Sequence, residues 1–377
     1  MRKKFLRPSV WRRTGPPDRT ILFCVIALIL FGVIMVYSAS APYATKKYGD
    51  PQFYFKRDLV YAALAIVMMF VVSWIDYRIY ERFAFPIYVF SFLLCLVVFI
   101  PGIGASINNA RRWIQIANQT FMPSDILKIG SICFLSYRLT RKPLERNGTL
   151  RMLCWVLGFV LITILPVYFQ PNFSAVMVIA LSLIFVYFVG GMNLWHLLPM
   201  MGFGILGLLY AFWPRPGNYR LERLLIVFNP LKDPQNSGWQ LLQSLYAVSS
   251  GGLWGVGFGQ SRQKFDYLAD EPHNDFIFSV ISEELGFIGA MCLILAFVYL
   301  IWRCLRAANR ANSAFGRLFG FGLSFIIAFQ AMVNIGVSIG LVPPTGITLP
   351  FVSYGGSSLI VMGIIAGILL NISKDSR

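Results

Sequence analysis

The sequence predicts an all-α fold: a polytopic transmembrane helical bundle of about ten spans with one large extracytoplasmic loop. Two observations carry this. Hydrophobic residues make up 57% of the chain and charged residues only 13%. Several stretches hold about 20 apolar residues almost without charge, the length that crosses a hydrocarbon core of roughly 30 Å. Lipid offers the backbone no partners, so such runs satisfy themselves as helices.

The spans are predicted at 20–39, 58–75, 83–100, 124–138, 152–169, 173–190, 195–213, 276–302, 315–341 and 351–371. The first follows "MRKK" and "WRR" and ends in "YSASA", whose small residues imitate a cleavage site. Its run from Ile21 to Tyr37 is long for a signal core, which makes it an uncleaved first helix. The fourth span is short and polar at its start. The eighth and ninth are overlong, so a tilt, a kink or a re-entrant piece is expected there.

Four regions follow: a basic tail 1–19, spans one to seven over 20–213, a large loop 214–275, and spans eight to ten over 276–377. Within the loop, "YRLERLLIVF" and "WQLLQSLYAVSSGG" have helical apolar spacing and read as segments along the membrane surface. "GGLWGVGFG" supplies close-packing backbone; no βαβ unit flanks it, so it is no dinucleotide fingerprint. With the N-terminus cytoplasmic, the inner segments hold twenty Lys and Arg against six in the short outer loops. That bias places both termini in the cytoplasm and the 214–275 loop outside.

The net charge of +17 fits inner loops facing anionic lipid, and no basic patch forms a soluble domain that would bind nucleic acid. A Walker A motif is absent, which excludes an ATP-driven pump in one chain. The six cysteines show no CxxC spacing and read as small core residues.

Six of the sixteen acidic residues gather in "FDYLADEPHNDFIFSVISEELGF", residues 265–287, along with His273, one of two histidines. Charge inside a span is costly, by about 2.5–3.5 kcal/mol on insertion scales, and is a functional hypothesis by default. Asp275 sits at the outer mouth of the eighth span, with Glu283 and Glu284 deeper; Asp125 and Lys128 open the fourth at spacing i, i+3. Each has a structural reading as well. Asp125 and Lys128 can neutralise each other on one helix face. The two glutamates can mark the start of a shorter helix in a polar crevice, and His273 can be a structural hydrogen-bonder. Asp275 can accept a proton from a hydroxyl arriving from outside, or hold a divalent cation such as Mg or Mn.

Six stretches stand out together: "MVYSAS", "ARRWI" at 110–114, "PSD..K" at 123–128, "QPNFS" at 170–174, "HNDFIFSVISEELGFIG" at 273–289 and "PPTGITLPFVSYGGSS" at 343–358. By these marks the chain resembles the SEDS family of bacterial membrane proteins, which includes FtsW, RodA and SpoVE. The likeness runs from about residue 20 to the end. "YSAS" and "GQSRQKF.YL" are closer to the FtsW-like branch than to RodA.

That resemblance implies a glycosyltransferase that polymerises lipid II into peptidoglycan at the outer face of the cytoplasmic membrane. It also implies a class B penicillin-binding protein as partner, with other division or elongation proteins. Asp275 matches the family's essential aspartate, and Asp125 and Lys128 fall where the family lines its cavity with a glutamate and a lysine. An inverting displacement needs a base on the attacking side and positive charge near the leaving pyrophosphate. Asp275 would be that base or position it, with His273 orienting it. Arg111, Arg112, Lys56, Lys264 or a divalent ion would hold phosphate, and Glu283 and Ser353 would line the substrate cavity. The sequence departs from the family in reading "MPSD" for "QPSE", Asn172 for a common aspartate, and Asn274 for threonine. Two rival functions fit ten spans: a flippase for the lipid-linked precursor, and a non-catalytic scaffold for the penicillin-binding protein.

Overall fold

Asp18 starts the bundle. Its carboxylate accepts the Thr20 amide at 2.9 Å and caps α1 (Arg19–Tyr48), satisfying an amide the helix leaves unpaired. The structure, a computed structural model, describes residues 15–107, 110–116, 119–141, 149–214, 219–232, 238–265 and 273–375. Asp266, Asp270 and Glu271 of the acidic stretch lie outside the described residues.

Helices α2 (Phe53–Trp74), α3 (Tyr77–Arg82) and α4 (Ala84–Val97) follow, then strands β1 (Gly104–Ile107), β2 (Ala110–Ile116) and β3 (Gln119–Phe121). After them come α5 (Pro123–Arg141), α6 (Thr149–Phe169), α7 (Phe173–Val189) and α8 (Leu197–Ala211). The loop supplies α9 (Tyr219–Phe228) and α10 (Trp239–Ser250), and α11 (Ile277–Asn309), α12 (Ala314–Ser338) and α13 (Ser357–Lys374) complete the chain. Among the described residues ten helices coincide with the ten predicted spans. Six are long and apolar enough to cross a membrane: α1, α6, α8 with the turn ahead of it, α11, α12 and α13. This is a polytopic helical membrane protein. The bundle is not purely α, however, because β1, β2 and β3 form an antiparallel sheet in that order. Only two residues separate each pair of strands, the length of a tight hairpin.

Helices α2 and α13 run side by side, with Gly363 against the Ala65 backbone and Gly367 against Met69 and Val72, the small-residue packing that lets helices approach closely in lipid. The first and last described residues meet at one end: the Gly15 amide donates to Lys374 O at 2.9 Å, and Arg303 pairs with Asp18. Tyr77 donates to Asp375 at 2.6 Å in the same layer. The opposite end carries the sheet, the 170–172 turn, α9, and the link from α12 to α13.

The predicted kink of the eighth span falls at Gly286 in α11, with φ 68° and ψ −170°. The break releases two carbonyls and two amides, and the segment after α10 takes all four. The Val256 and Gly257 amides donate to Glu283 O and Glu284 O at 3.0 and 3.1 Å. In return the Phe287 and Ile288 amides donate to Gly252 O and Leu253 O at 2.8 and 3.2 Å. Irregular backbone at membrane depth survives where protein satisfies it, and here the broken helix does so. The "GGLWGVGFG" stretch is thus rigidly docked, and α10 packs beside α11 rather than lying along a surface, its Ser244 2.6 Å from Ser279.

Candidate active site

The turn His273–Phe276 leads into α11 at the end of the bundle away from the termini. Asn334 of α12 fixes it, donating to Asp275 O at 3.0 Å and to Ile347 O at 2.8 Å. That amide staples the turn to the Pro- and Gly-rich link. A second tie is the Tyr354 amide to His273 O at 3.1 Å. The half-buried Asp275 carboxylate lies over Gly346, where a Cβ would stand 3.7 Å from Oδ2. The Ser174 hydroxyl donates to Thr345 O, drawing the start of α7 onto the same link.

Ser353 turns inward. Its Oγ accepts the Leu349 amide at 2.8 Å and shapes the link. The His273 ring is buried against Tyr54 (4.2 Å between centroids), Tyr354 (5.3 Å) and Tyr43 (6.2 Å). Neither ring nitrogen has a hydrogen-bond partner. Burial, helped by the nearby Lys47 charge, pushes its pKa down to about 3, so the ring is neutral. The expected orienting hydrogen bond to Asp275 is therefore not made; the histidine fills an aromatic box beneath the turn.

Asp125 and Lys128 pair at 2.7 Å in the first turn of α5, with 6% and 7% of their side chains exposed. The Met122 amide, just before them, donates to Ser357 Oγ at 3.4 Å, joining this pair to the far end of the same link. Asn172 caps α7, accepting the Ala175 amide at 3.2 Å, and its amide group lies 3.6 Å from Met122 sulfur. The substituted residues of "MPSD" and "QPN" are thus in contact.

Each cationic candidate is placed differently. Arg112 donates to Gln170 O at 3.3 Å and Pro171 O at 2.5 Å, clasping the sheet onto the 170–172 turn. Arg111 is exposed on β2. Lys56 is exposed and pairs with Asp50 at 2.9 Å. Lys264 is buried against Glu284 at 2.7 Å, while Glu283 accepts the Ser261 hydroxyl and the Arg262 amide. Glu283, expected in the cavity wall, instead holds a loop. A cavity of about 330 Å³ opens between α1 and this loop, lined by Tyr37, Ser38, Ala41, Pro42, Thr45, Phe258, Gly259, Lys264 and Phe265; Asp275 is not on its wall.

Among the described residues no three His, Cys, Asp or Glu side chains converge as a metal nest. A Mg²⁺ held by one carboxylate, water and substrate phosphate needs no such nest, and Asp275 would be its protein ligand. Sequence reasoning missed Asn334, a polar residue within an apolar run. It also missed Asp58, buried in α2 with Oδ1 unpartnered; a carboxylate at the first position of a predicted span was the available signal.

Residues 18–377 match the FtsW/RodA/SpoVE family, described as cell cycle proteins. The stage V sporulation protein E of Bacillus subtilis is 41% identical over 96% of this chain and 98% of its own length. A probable peptidoglycan glycosyltransferase FtsW of Geobacter sulfurreducens is 41% identical over 94% of this chain and 95% of its own. Among solved structures, a chain of a peptidoglycan synthase complex that coordinates polymerization and crosslinking superposes with a TM-score of 0.79 at 29% identity, covering 96% of this chain and 98% of that one. The rod shape determining protein RodA of Thermus thermophilus superposes with a TM-score of 0.71 at 26% identity, over 96% of this chain and 98% of its own.

Proposed function

The chain belongs to the FtsW/RodA/SpoVE family of cell cycle proteins, and from that premise we propose that it is a peptidoglycan glycosyltransferase whose reacting carboxylate is Asp275. The substrate is lipid II, and the end of the bundle bearing Asp275 faces outward while both termini are cytoplasmic. A cross-linking penicillin-binding protein is the partner, as the name of the superposing synthase complex suggests.

One observation carries the reading. Asp275 is a half-buried carboxylate at the bundle's rim, on a turn fixed by Asn334 and facing Gly346 of the link. A base held by backbone ties keeps its position as an acceptor sugar arrives, which is what proton abstraction requires. As the acceptor hydroxyl attacks the anomeric carbon, its proton passes to Asp275 and the bond to the lipid pyrophosphate breaks with inversion. Arg111, exposed on the sheet at the same end, is the cation we assign to the departing pyrophosphate. Asp125 and Lys128 neutralise each other, so this buried pair at the start of α5 brings little net charge near the link.

The test is polymerisation of lipid II by the purified chain with its penicillin-binding partner, set beside transfer of labelled lipid II across liposomes. Glycan strands without transfer support the assignment. Transfer without strands would make the chain a flippase; neither would leave a scaffold.

A further inference from the structure

Resting on the assignment of Asp275 as the reacting carboxylate, we propose that Lys264 and Glu284 are positioning residues, whose buried ion pair fixes the register of the segment carrying Asp275. Three observations converge on this pair.

The first is burial and closure. Lys264 Nζ lies 2.7 Å from Glu284 Oε1, with 3% and 0% of the side chains exposed. Ser38 of α1 completes a triangle, its Oγ 2.7 and 2.8 Å from the two carboxylate oxygens and accepting from Lys264 at 3.0 Å. Glu284 balances the ammonium charge and two of its donors are engaged, so Lys264 is poorly placed to hold a phosphate.

The second is connectivity. Lys264 and Glu284 stand 20 positions apart with Asp275 between them. One end of the opening segment of α11 is held through Asn334 at Asp275 O, the other through Lys264 at Glu284. Glu283 grips the same turn from the neighbouring position, through Ser261 and Arg262. Both glutamates of "SEEL" therefore anchor one loop, just where the helix is broken at Gly286.

The third is energetic. A buried ion pair adds little stability over apolar residues of the same size, whereas losing one partner strands a charge. What such a pair supplies is a defined geometry. With the helix broken beside it, the segment that presents Asp275 is not held by a continuous helix ladder, and the pair gives it a fixed register.

The experiment measures lipid II polymerisation kinetics and thermal unfolding of the full chain with its partner, for wild type, Lys264→Met, the double variant Lys264→Met/Glu284→Leu, and Asp275→Ala. The apolar double variant should unfold within a few degrees of wild type yet lose at least tenfold in kcat, with KM within twofold. If kcat returns together with the unfolding temperature, the pair is merely structural and the proposal falls. If KM rises in Lys264→Met and stays raised in the double variant, Lys264 binds substrate and the proposal falls again. Lys264→Met is expected to be the least stable of the set; should it fail to fold, the double variant alone decides. Normal polymer from Asp275→Ala would instead overturn the underlying assignment, whatever the pair does.

Discussion

Gly286→Ala should detach the 251–264 loop from α11. The φ of 68° with ψ −170° lies in a region open essentially to glycine, so any other residue there costs about 1–3 kcal/mol. A Cβ at this position would also stand 2.3 Å from the Gly255 nitrogen, and one at Gly255 would stand 2.1 Å from Glu284 O. Neither backbone can yield without separating. If α11 heals into a continuous helix, the two Phe287 and Ile288 amides return to Glu283 O and Glu284 O. The four loop-to-helix bonds are then lost against two regained. The wild type makes the same exchange when its loop opens, so what the substitution adds to the strain is the roughly 1 kcal/mol by which alanine favours a continuous helix over glycine. The sum, about 2–4 kcal/mol, corresponds to a fall of roughly 30-fold or more in the docking equilibrium. Amide hydrogen exchange on peptides covering 251–265 reads it directly, and those peptides should lose protection by at least that factor. Gly204→Ala in α8, where an added Cβ meets nothing within 4 Å, is the control and should leave exchange unchanged. Wild-type protection in Gly286→Ala would refute the claim that the helix break and the loop are one device.

Two further outcomes follow from buried groups. Lys128→Met should destabilise the chain by about 3–5 kcal/mol, because Asp125 is left buried and unpaired, while adding Asp125→Leu should restore most of the loss; thermal unfolding of both variants checks it. The His273 ring stays neutral in the folded chain down to about pH 3, whereas the unfolded chain takes up its proton near 6.5. The unfolded state therefore binds more protons below pH 6.5, and stability should fall there by at most about 1.4 kcal/mol per unit while remaining flat above. Melting curves from pH 7.5 to 5 should lose that slope in His273→Phe; an unchanged slope would show that the titration lies elsewhere.

Periodicity and apolar length made the helices legible, down to α9 and α10 within the long loop. Excess length made the kink in α11 legible, though not its position: only the docking of residues 252–257 explains why Gly286 is where the helix opens. The sheet escaped because strands of three to seven residues are too short for a period-two signal to stand out beside long apolar runs. Among the candidate site residues, the sequence pointed to the buried charges but not to their partners. Asp125 and Lys128 are three residues apart and paired as their spacing suggests. Ser38 and Glu284 are separated by 246 positions, and no local pattern joins them. His273 misled for a related reason: two residues from Asp275, it looks like an orienting partner, yet its ring packs on Tyr54 of α2. Asp58 hid at the boundary of a predicted span, where a charge passes for an interfacial one.

The central claim is that one rim carboxylate takes the proton from the attacking sugar. Asp275→Asn keeps the shape of the side chain and removes its basicity, and a general base contributes about 10²–10⁴-fold to rate. The decisive measurement is lipid II polymerisation by this purified variant with its partner, with unfolding temperature followed in parallel. Glycan synthesis reduced at least a hundredfold in a normally folded chain is the expected result; strands formed at near the wild-type rate would contradict it.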